Sequence, residues 1–181
     1  MKLKYFILLA FVLCSFTKVS AQHSVTNDIL NEAFAKAATQ HKNVFLMFHA
    51  SWCGWCHKMD SSMNDISCKK MFDDNYVVCH LTVDESKDKR DLETPGADAY
   101  RKIYNGEKEG LPFWLIFDKN RKLLGDSRMP APGETVAKEG QNVGCPATKE
   151  EIAYFTSLLK KTSSLRDPQL KVIEERFGKN K

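Results

Sequence analysis

The chain has 181 residues, with 27 Lys and Arg against 23 Asp and Glu, 43% hydrophobic residues, six Pro and nine Gly. This length indicates one domain of ordinary size, and the composition excludes collagen-like, low-complexity and wholly disordered classes. The six cysteines are too few for a disulfide scaffold in a chain of this length, so each needs its own explanation.

The N-terminal residues have the pattern of a secretory signal. Lys2 and Lys4 precede a nearly continuous apolar run, and small residues at 19–21 match a peptidase site. We predict a signal peptide over residues 1–21 and an exported chain, periplasmic or secreted, with no stable membrane anchor after cleavage. Removal of this segment leaves 24 basic and 23 acidic residues, so charge gives no reason to expect a nucleic acid partner.

Hydrophobic periodicity predicts an alternating series of helices and strands. The first half is expected to contain helix 27–41, strand 44–48, a helix after residue 53, short helix 65–72, strand 76–84, exposed loop 85–96 and helix 97–104 with Ile103 facing inward. The second half is expected to contain strands 113–117 and 123–124, a surface loop over 128–147, a helix capped by Thr148, a helix from Asp167 and four fraying terminal residues. This order indicates an α/β fold with a central mixed sheet and helices on both faces.

The segment Cys53-Gly54-Trp55-Cys56 carries the chemistry. A cysteine in the first turn of a helix is stabilised as a thiolate by the helix dipole and the unpaired N–H groups. Cys53 is therefore predicted to attack a disulfide in another protein. Cys56, separated from it by two residues, is predicted to resolve the mixed disulfide. The two sulfurs form a redox-active disulfide when oxidised and carry the electrons themselves, so no cofactor is expected. Gly54 should let a partner backbone approach closely.

The segments VFLMFHASWCGWC, VDES and GLPFWLIFD together resemble the thioredoxin superfamily. More narrowly, the sequence is similar to exported thioredoxin-like proteins related to the C-terminal domain of periplasmic disulfide-interchange proteins. The resemblance covers roughly residues 27–160 and implies a thioredoxin fold, extended by a helical tail at 165–178. Residues 22–181 would then form a single thioredoxin-like domain.

The resemblance also assigns roles to residues outside the dithiol. It implies that Pro112 is a cis-proline beside the two cysteines and that the backbone of Leu111 pairs with an extended substrate segment. Trp52 and Trp55 would form the rim of the docking surface. The implied partners are protein thiols and disulfides, together with a redox partner that recycles the dithiol; no metal is implied.

The sequence departs from the family pattern beneath the dithiol. Many thioredoxins carry a buried Asp six residues before the nucleophile, where this chain has Met47. His80 lies close to where thioredoxins often carry a Lys, and we interpret it as a surface or packing residue. These departures leave the direction of exchange open between reductant, oxidant and isomerase.

Two other functions remain open on the same residues. Cys53-Gly54-Trp55-Cys56-His57 also matches the c-type haem pattern, for which Met129 offers a distal ligand. Alternatively, the chain is a copper-binding or copper-delivery module. That module would use Cys53 and Cys56, joined by ligands from His49, His57, Met59 and Met63.

Three further cysteines follow the signal. Cys79 lies on the apolar face of its strand and is predicted to be a buried, inert thiol. Cys68 is interpreted similarly, although a Cys68–Cys79 bridge is also possible. Cys145, between Gly144 and Pro146, is expected to be exposed in a loop.

Overall fold

The computed structural model describes residues 24–130 and 140–180, and the predicted signal peptide lies outside them. The helices are α1 (Val25–Gln40), α2 (Gly54–Met63), α3 (Lys69–Asn75), α4 (Ala97–Ile103), α5 (Lys149–Thr162) and α6 (Asp167–Phe177), and a 3-10 helix covers Lys87–Leu92. The strands are β1 (Asn43–His49), β2 (Tyr76–Thr82), β3 (Phe113–Phe117), β4 (Leu123–Asp126), β5 (Arg128–Met129) and β6 (Gln141–Asn142).

Four strands form the central sheet in the order β2-β1-β3-β4. β1 runs parallel to β2 and antiparallel to β3, and β4 returns antiparallel to β3 as a hairpin. A separate antiparallel pair joins β5 to β6. The sheet is therefore mixed, as predicted, and β1 is its inner strand that leads into the dithiol.

Each face of the sheet has its own hydrophobic core because side chains alternate along a strand. On one face, Phe45 and Trp114 pack against α2, α3, α5 and α6, and on the other Leu46 and Phe48 pack against α1 and α4. Since both faces of β1 and β3 are covered, the two strands are continuous apolar runs without polar alternation. The prediction of helices on both faces of a mixed sheet is confirmed.

The C-terminal helices complete the first core. α5 begins at the predicted capping box, in which Thr148 Oγ1 accepts the Glu151 N–H and the Glu151 carboxylate accepts the Thr148 N–H. α6 packs on it through Phe155 and Phe177, whose ring centroids are 5.0 Å apart. The predicted helical extension is thus present and is part of the core.

The structure corrects three predictions of exposure or order. Ile103 is 68% exposed and does not face inward, because α4 turns Ala97 and Arg101 toward the sheet. In the described parts of 128–147, β5 and β6 pair, so this segment is not simply a surface loop. Among the final residues, Asn180 is only 5% exposed and hydrogen-bonded, so it does not fray.

Within the described residues, no helix combines the length and hydropathy that a membrane span requires.

Candidate active site

Cys53 lies between the end of β1 and the start of α2. It is the N-cap of α2, with an extended backbone, and its Sγ accepts the N–H of Cys56 at 3.1 Å. A sulfur at an N-cap takes the place of the oxygen that usually satisfies the first free N–H groups of a helix. The predicted position of Cys53 at the first turn of a helix is confirmed by this geometry.

Cys53 and Cys56 form a disulfide, with an S–S distance of 2.04 Å and Cα atoms 5.2 Å apart. Both residues are buried, and they pack with Ala50 and the side chain of Leu111. The pair lies at the carboxyl end of β1, where the chain leaves the sheet. The structure therefore brings the two sulfurs together, as the spacing predicts.

The loop before β3 lies beside this disulfide. The peptide bond between Leu111 and Pro112 is cis, which is the geometry that the resemblance implied. Leu111 is partly buried and contacts the cluster of Ala50, Cys53 and Cys56. Leu111 therefore lies next to the two sulfurs, with Pro112 directly after it in the chain. The role of both residues in substrate binding stays a prediction.

Two exposed tryptophans flank the disulfide. Trp52 is 60% exposed and Trp55 44%, in contrast to the buried cysteine that follows each of them. The indole N–H of Trp52 donates to the carbonyl of Asp84 at 2.8 Å, and Lys58 Nζ lies 4.3 Å from the Trp55 ring centroid. An added Cβ at Gly54 would meet no described atom within 4 Å, so the surface at Gly54 is open. Both predicted rim residues are therefore exposed near the disulfide, and their role in docking a substrate stays a prediction.

A buried carboxylate holds the turn that carries Cys53. Glu85, just beyond the end of β2, accepts the backbone N–H of Ser51 at 2.5 Å and its hydroxyl at 2.7 Å. These hydrogen bonds lower the pKa of Glu85 from its ordinary value of 4.5. The expected exposure of loop 85–96 is therefore wrong for its first residue, which supports the active-site turn.

Beneath the dithiol, Met47 is fully buried in an apolar environment. On the neighbouring strand, His80 Nε2 lies 2.9 Å from Asp60 Oδ1 of α2, and the ring of His80 is 5.2 Å from that of His49. Burial lowers the pKa of His49, and the nearby His80 lowers it further by electrostatic repulsion. His80 therefore fits the predicted packing role, since it links β2 to the active-site helix.

The remaining three cysteines of the described chain are free, buried thiols. Cys68 packs on one face of the sheet and Cys79 on the other, so the possible Cys68–Cys79 bridge does not form. Cys145 was expected to be exposed but is only 5% exposed, because Asn180 covers it and donates to its Sγ at 3.3 Å. Burial raises the pKa of both Cys79 and Cys145 to about 12, which makes them poor nucleophiles.

The side chains that haem or copper binding would use as ligands make other contacts in this structure. The sulfurs that haem or copper would need are bonded to each other, and Met59 and Met63 face the core. His57 is exposed, with Nε2 3.0 Å from the Ser51 carbonyl. Within the described ranges, no group of three or more His, Cys, Asp or Glu residues is suited to hold a metal ion.

Sequence reasoning missed the residues that support the site from a distance. Asp84, Glu85 and Arg101 hold the Trp52 turn, and Asn142 holds the loop around Leu111. The local sequence marks only Asp84 and Glu85, which belong to the segment VDES just beyond β2. The contacts that matter here, from Arg101 to Asp84 and from Asn142 to Gly110 and Pro112, join residues 17, 32 and 30 positions apart, beyond any local pattern.

Comparisons with known proteins include a family model and a curated relative that match this chain. A model of the family described as thioredoxin-like matches residues 25–119, just over half of the chain. Protein disulfide isomerase-like 1-1 of Arabidopsis thaliana is 26% identical over 120 residues, which cover 61% of this chain and 22% of that protein. This chain thus corresponds to less than a quarter of the length of the curated relative.

Solved structures include similar chains at lower identity. A disulphide isomerase from Xylella fastidiosa Temecula1 is 18% identical with a TM-score of 0.46, over 60% of this chain and 77% of that one. A thioredoxin from Thermus thermophilus is 20% identical with a TM-score of 0.40, over 53% of this chain and 68% of that one.

Proposed function

Because the chain belongs to the thioredoxin-like family, we propose that it is a thiol–disulfide oxidoreductase that exchanges disulfides with protein substrates. The observation that carries this proposal is the Cys53–Cys56 disulfide at the start of α2, with Cys53 as the helix N-cap. A disulfide in that position is electrostatically poised to open, because the helix start stabilises the Cys53 thiolate that reduction releases.

The reaction proceeds in two exchange steps. The Cys53 thiolate attacks a substrate disulfide, so that a bond forms between Cys53 Sγ and one substrate sulfur while the other leaves as a thiolate and takes up a proton. Cys56 then loses its proton and attacks Cys53 Sγ, which releases the second substrate thiol and forms the Cys53–Cys56 disulfide. Two electrons pass from the dithiol to the substrate, and the same steps in reverse oxidise a substrate dithiol.

The surroundings of the dithiol suit an extended polypeptide. The backbone of Leu111 offers an edge for strand addition, and Trp52 and Trp55 provide apolar surface on either side of the sulfurs. A redox partner protein would return the pair to its working state after each cycle. The signal pattern at residues 1–21 supports an exported location, where protein disulfides form and persist.

The mechanism is tested by changing each sulfur separately. Cys56→Ser is expected to accumulate a mixed disulfide between Cys53 and a disulfide-containing protein, seen as an added mass on non-reducing analysis. Cys53→Ser is expected to lose exchange altogether. Cys79→Ala, on the opposite face of the sheet, is the matched control and should retain the wild-type rate. Full activity in Cys53→Ser would contradict the proposal.

Export has its own test. We expect the chain expressed from residue 1 in a bacterial host to be recovered outside the cytoplasm with an N-terminus at residue 22. Intact mass spectrometry of the purified protein measures this. Recovery from the cytoplasm with residues 1–21 still attached would contradict the exported location without touching the chemistry of the dithiol.

A further inference from the structure

The loop that carries Leu111 is held by one side chain from β6. Asn142 Nδ2 donates to the carbonyl of Gly110 at 2.6 Å and lies 3.3 Å from the carbonyl of Pro112, to which it also donates. One amide group therefore engages the two carbonyls on either side of Leu111. The contacts join positions 30 and 32 residues apart in sequence.

The side chain of Asn142 is itself held by a hydrogen bond from the turn that follows β6. Its Oδ1 accepts the N–H of Gly144 at 3.1 Å, and the carbonyl of Gly144 accepts the indole N–H of Trp114 at 2.8 Å. Gly144 has φ of +52°, and an added Cβ would lie 3.4 Å from the carbonyl oxygen of Pro112. The turn after β6 thus packs directly on the Gly110–Pro112 loop and leaves the Asn142 amide little freedom.

The backbone N–H and C=O of Leu111 stay available for hydrogen bonding. In residues 24–130 and 140–180, no hydrogen bond uses the backbone N–H or C=O of Leu111. Its side chain packs on Ala50, Cys53 and Cys56. The unpaired backbone of Leu111 therefore lies beside the disulfide, while the carbonyls of Gly110 and Pro112 are hydrogen-bonded to Asn142.

We propose that Asn142 is a positioning residue that presents the backbone edge of Leu111 to an extended polypeptide substrate. The inference rests on the proposed function, and it concerns selection of peptide over small disulfides. Strand addition needs an N–H and a C=O that are already aligned, since ordering a loose loop on binding costs conformational entropy. A small disulfide has no peptide backbone to pair with Leu111 and gains nothing from that alignment.

A groove next to the loop extends the binding edge. It has a volume of about 410 Å³ and is lined by residues that include Trp55, Leu111, Asn142 and Val143. A polypeptide paired with Leu111 would run along this groove, whose lining includes both Asn142 and Trp55. Asn142 is thus placed to order the loop without contacting the reacting sulfurs.

The sharpest variant is Asn142→Asp. It keeps the shape and the acceptor for the Gly144 N–H but replaces the donor with an oxygen that repels both carbonyls. We expect the KM for a disulfide-linked peptide to rise about tenfold with little change in kcat. We expect unchanged rates with hydroxyethyl disulfide and an unchanged potential of the Cys53–Cys56 pair. Asn120→Asp, in the exposed turn after β3, is the matched control and should behave as wild type with both substrates.

A second measurement does not depend on a variant at Asn142. In Cys56→Ser carrying a peptide on Cys53, amide hydrogen exchange at Leu111 is expected to slow at least tenfold relative to the unloaded protein.

Three results would overturn the inference. These are an equal loss of rate with both substrates, unchanged peptide KM in Asn142→Asp, and absence of protection at Leu111 in the loaded protein. Wild-type protein that reacts with neither disulfide would overturn the proposed function itself.

Discussion

Arg101 and Asp84 form a two-pronged ion pair, with guanidinium nitrogens 2.6 and 2.9 Å from the two carboxylate oxygens. Arg101 is only 2% exposed, and Asp84 stands just beyond β2 with φ of +54°. The carbonyl of the same Asp84 accepts the indole N–H of Trp52. The buried guanidinium of Arg101 on α4 therefore holds Asp84 in place. Asp84 then holds the turn that carries Trp52.

Removal of the Asp84 carboxylate should destabilise the fold. In Asp84→Ala, buried Arg101 keeps only Asp98, which lies 3.1 Å away, and we expect the free energy of unfolding to fall by about 1.5–3 kcal/mol. Urea unfolding measures the loss. Asp73→Ala breaks the exposed Lys69–Asp73 pair and should cost less than about 1 kcal/mol. Equal losses in the two variants would show that the Arg101 pair contributes no more than a surface contact.

The reduced protein should contain two classes of thiol. Cys53 and Cys56 are expected to react first with an aromatic disulfide reagent, because the open surface above them admits it and the helix start favours the thiolate. Cys68, Cys79 and Cys145 are buried and should react only as the fold opens. In protein that lacks residues 1–21, and with them Cys14, the colour released under native conditions should therefore correspond to two thiols. Three more thiols should react in denaturant. Fast release from three or more thiols would contradict the buried positions.

The hydrogen bonds from Ser51 to Glu85 predict a dependence of stability on acid. They lower the pKa of Glu85 below 4.5, so the folded state favours the ionised carboxylate. The stabilisation is present above about pH 4.5 and is lost as the pH falls through the lower pKa of the folded state. Glu85→Gln should therefore show a flatter fall in the free energy of unfolding between pH 5 and 3 than wild type. Ser51→Ala, which keeps the backbone donor, should fall between them, and parallel curves for all three would contradict this account.

The sheet and the dithiol were predictable because their signals are local. Apolar runs over β1 and β3 report burial on both faces, and the two-residue spacing of Cys53 and Cys56 reports their approach. A capping box at Thr148 marks the start of α5 in four residues of sequence. In each of these cases the physical cause lies within one element.

The predictions are wrong or missing where residues far away in the sequence determine a residue's environment. Cys145 lies between a glycine and a proline, which suggests exposure, yet Asn180 folds back over it from the far end of α6. The same Asn180 accepts the hydroxyl of Ser62, at the end of the active-site helix. Asn142 likewise has no local feature that marks it, since its two acceptors belong to a loop about 30 residues earlier. Contacts of this length become visible only in three dimensions.

The account depends most on the claim that Cys53 and Cys56 exchange electrons with other thiols. Equilibration of the protein in glutathione buffers, with acid quenching and mass analysis of the pair, measures its reduction potential. We expect a two-electron transition between about −270 and −120 mV, the range of dithiols that work in exchange. A potential below about −300 mV would place the pair among structural disulfides and contradict the account.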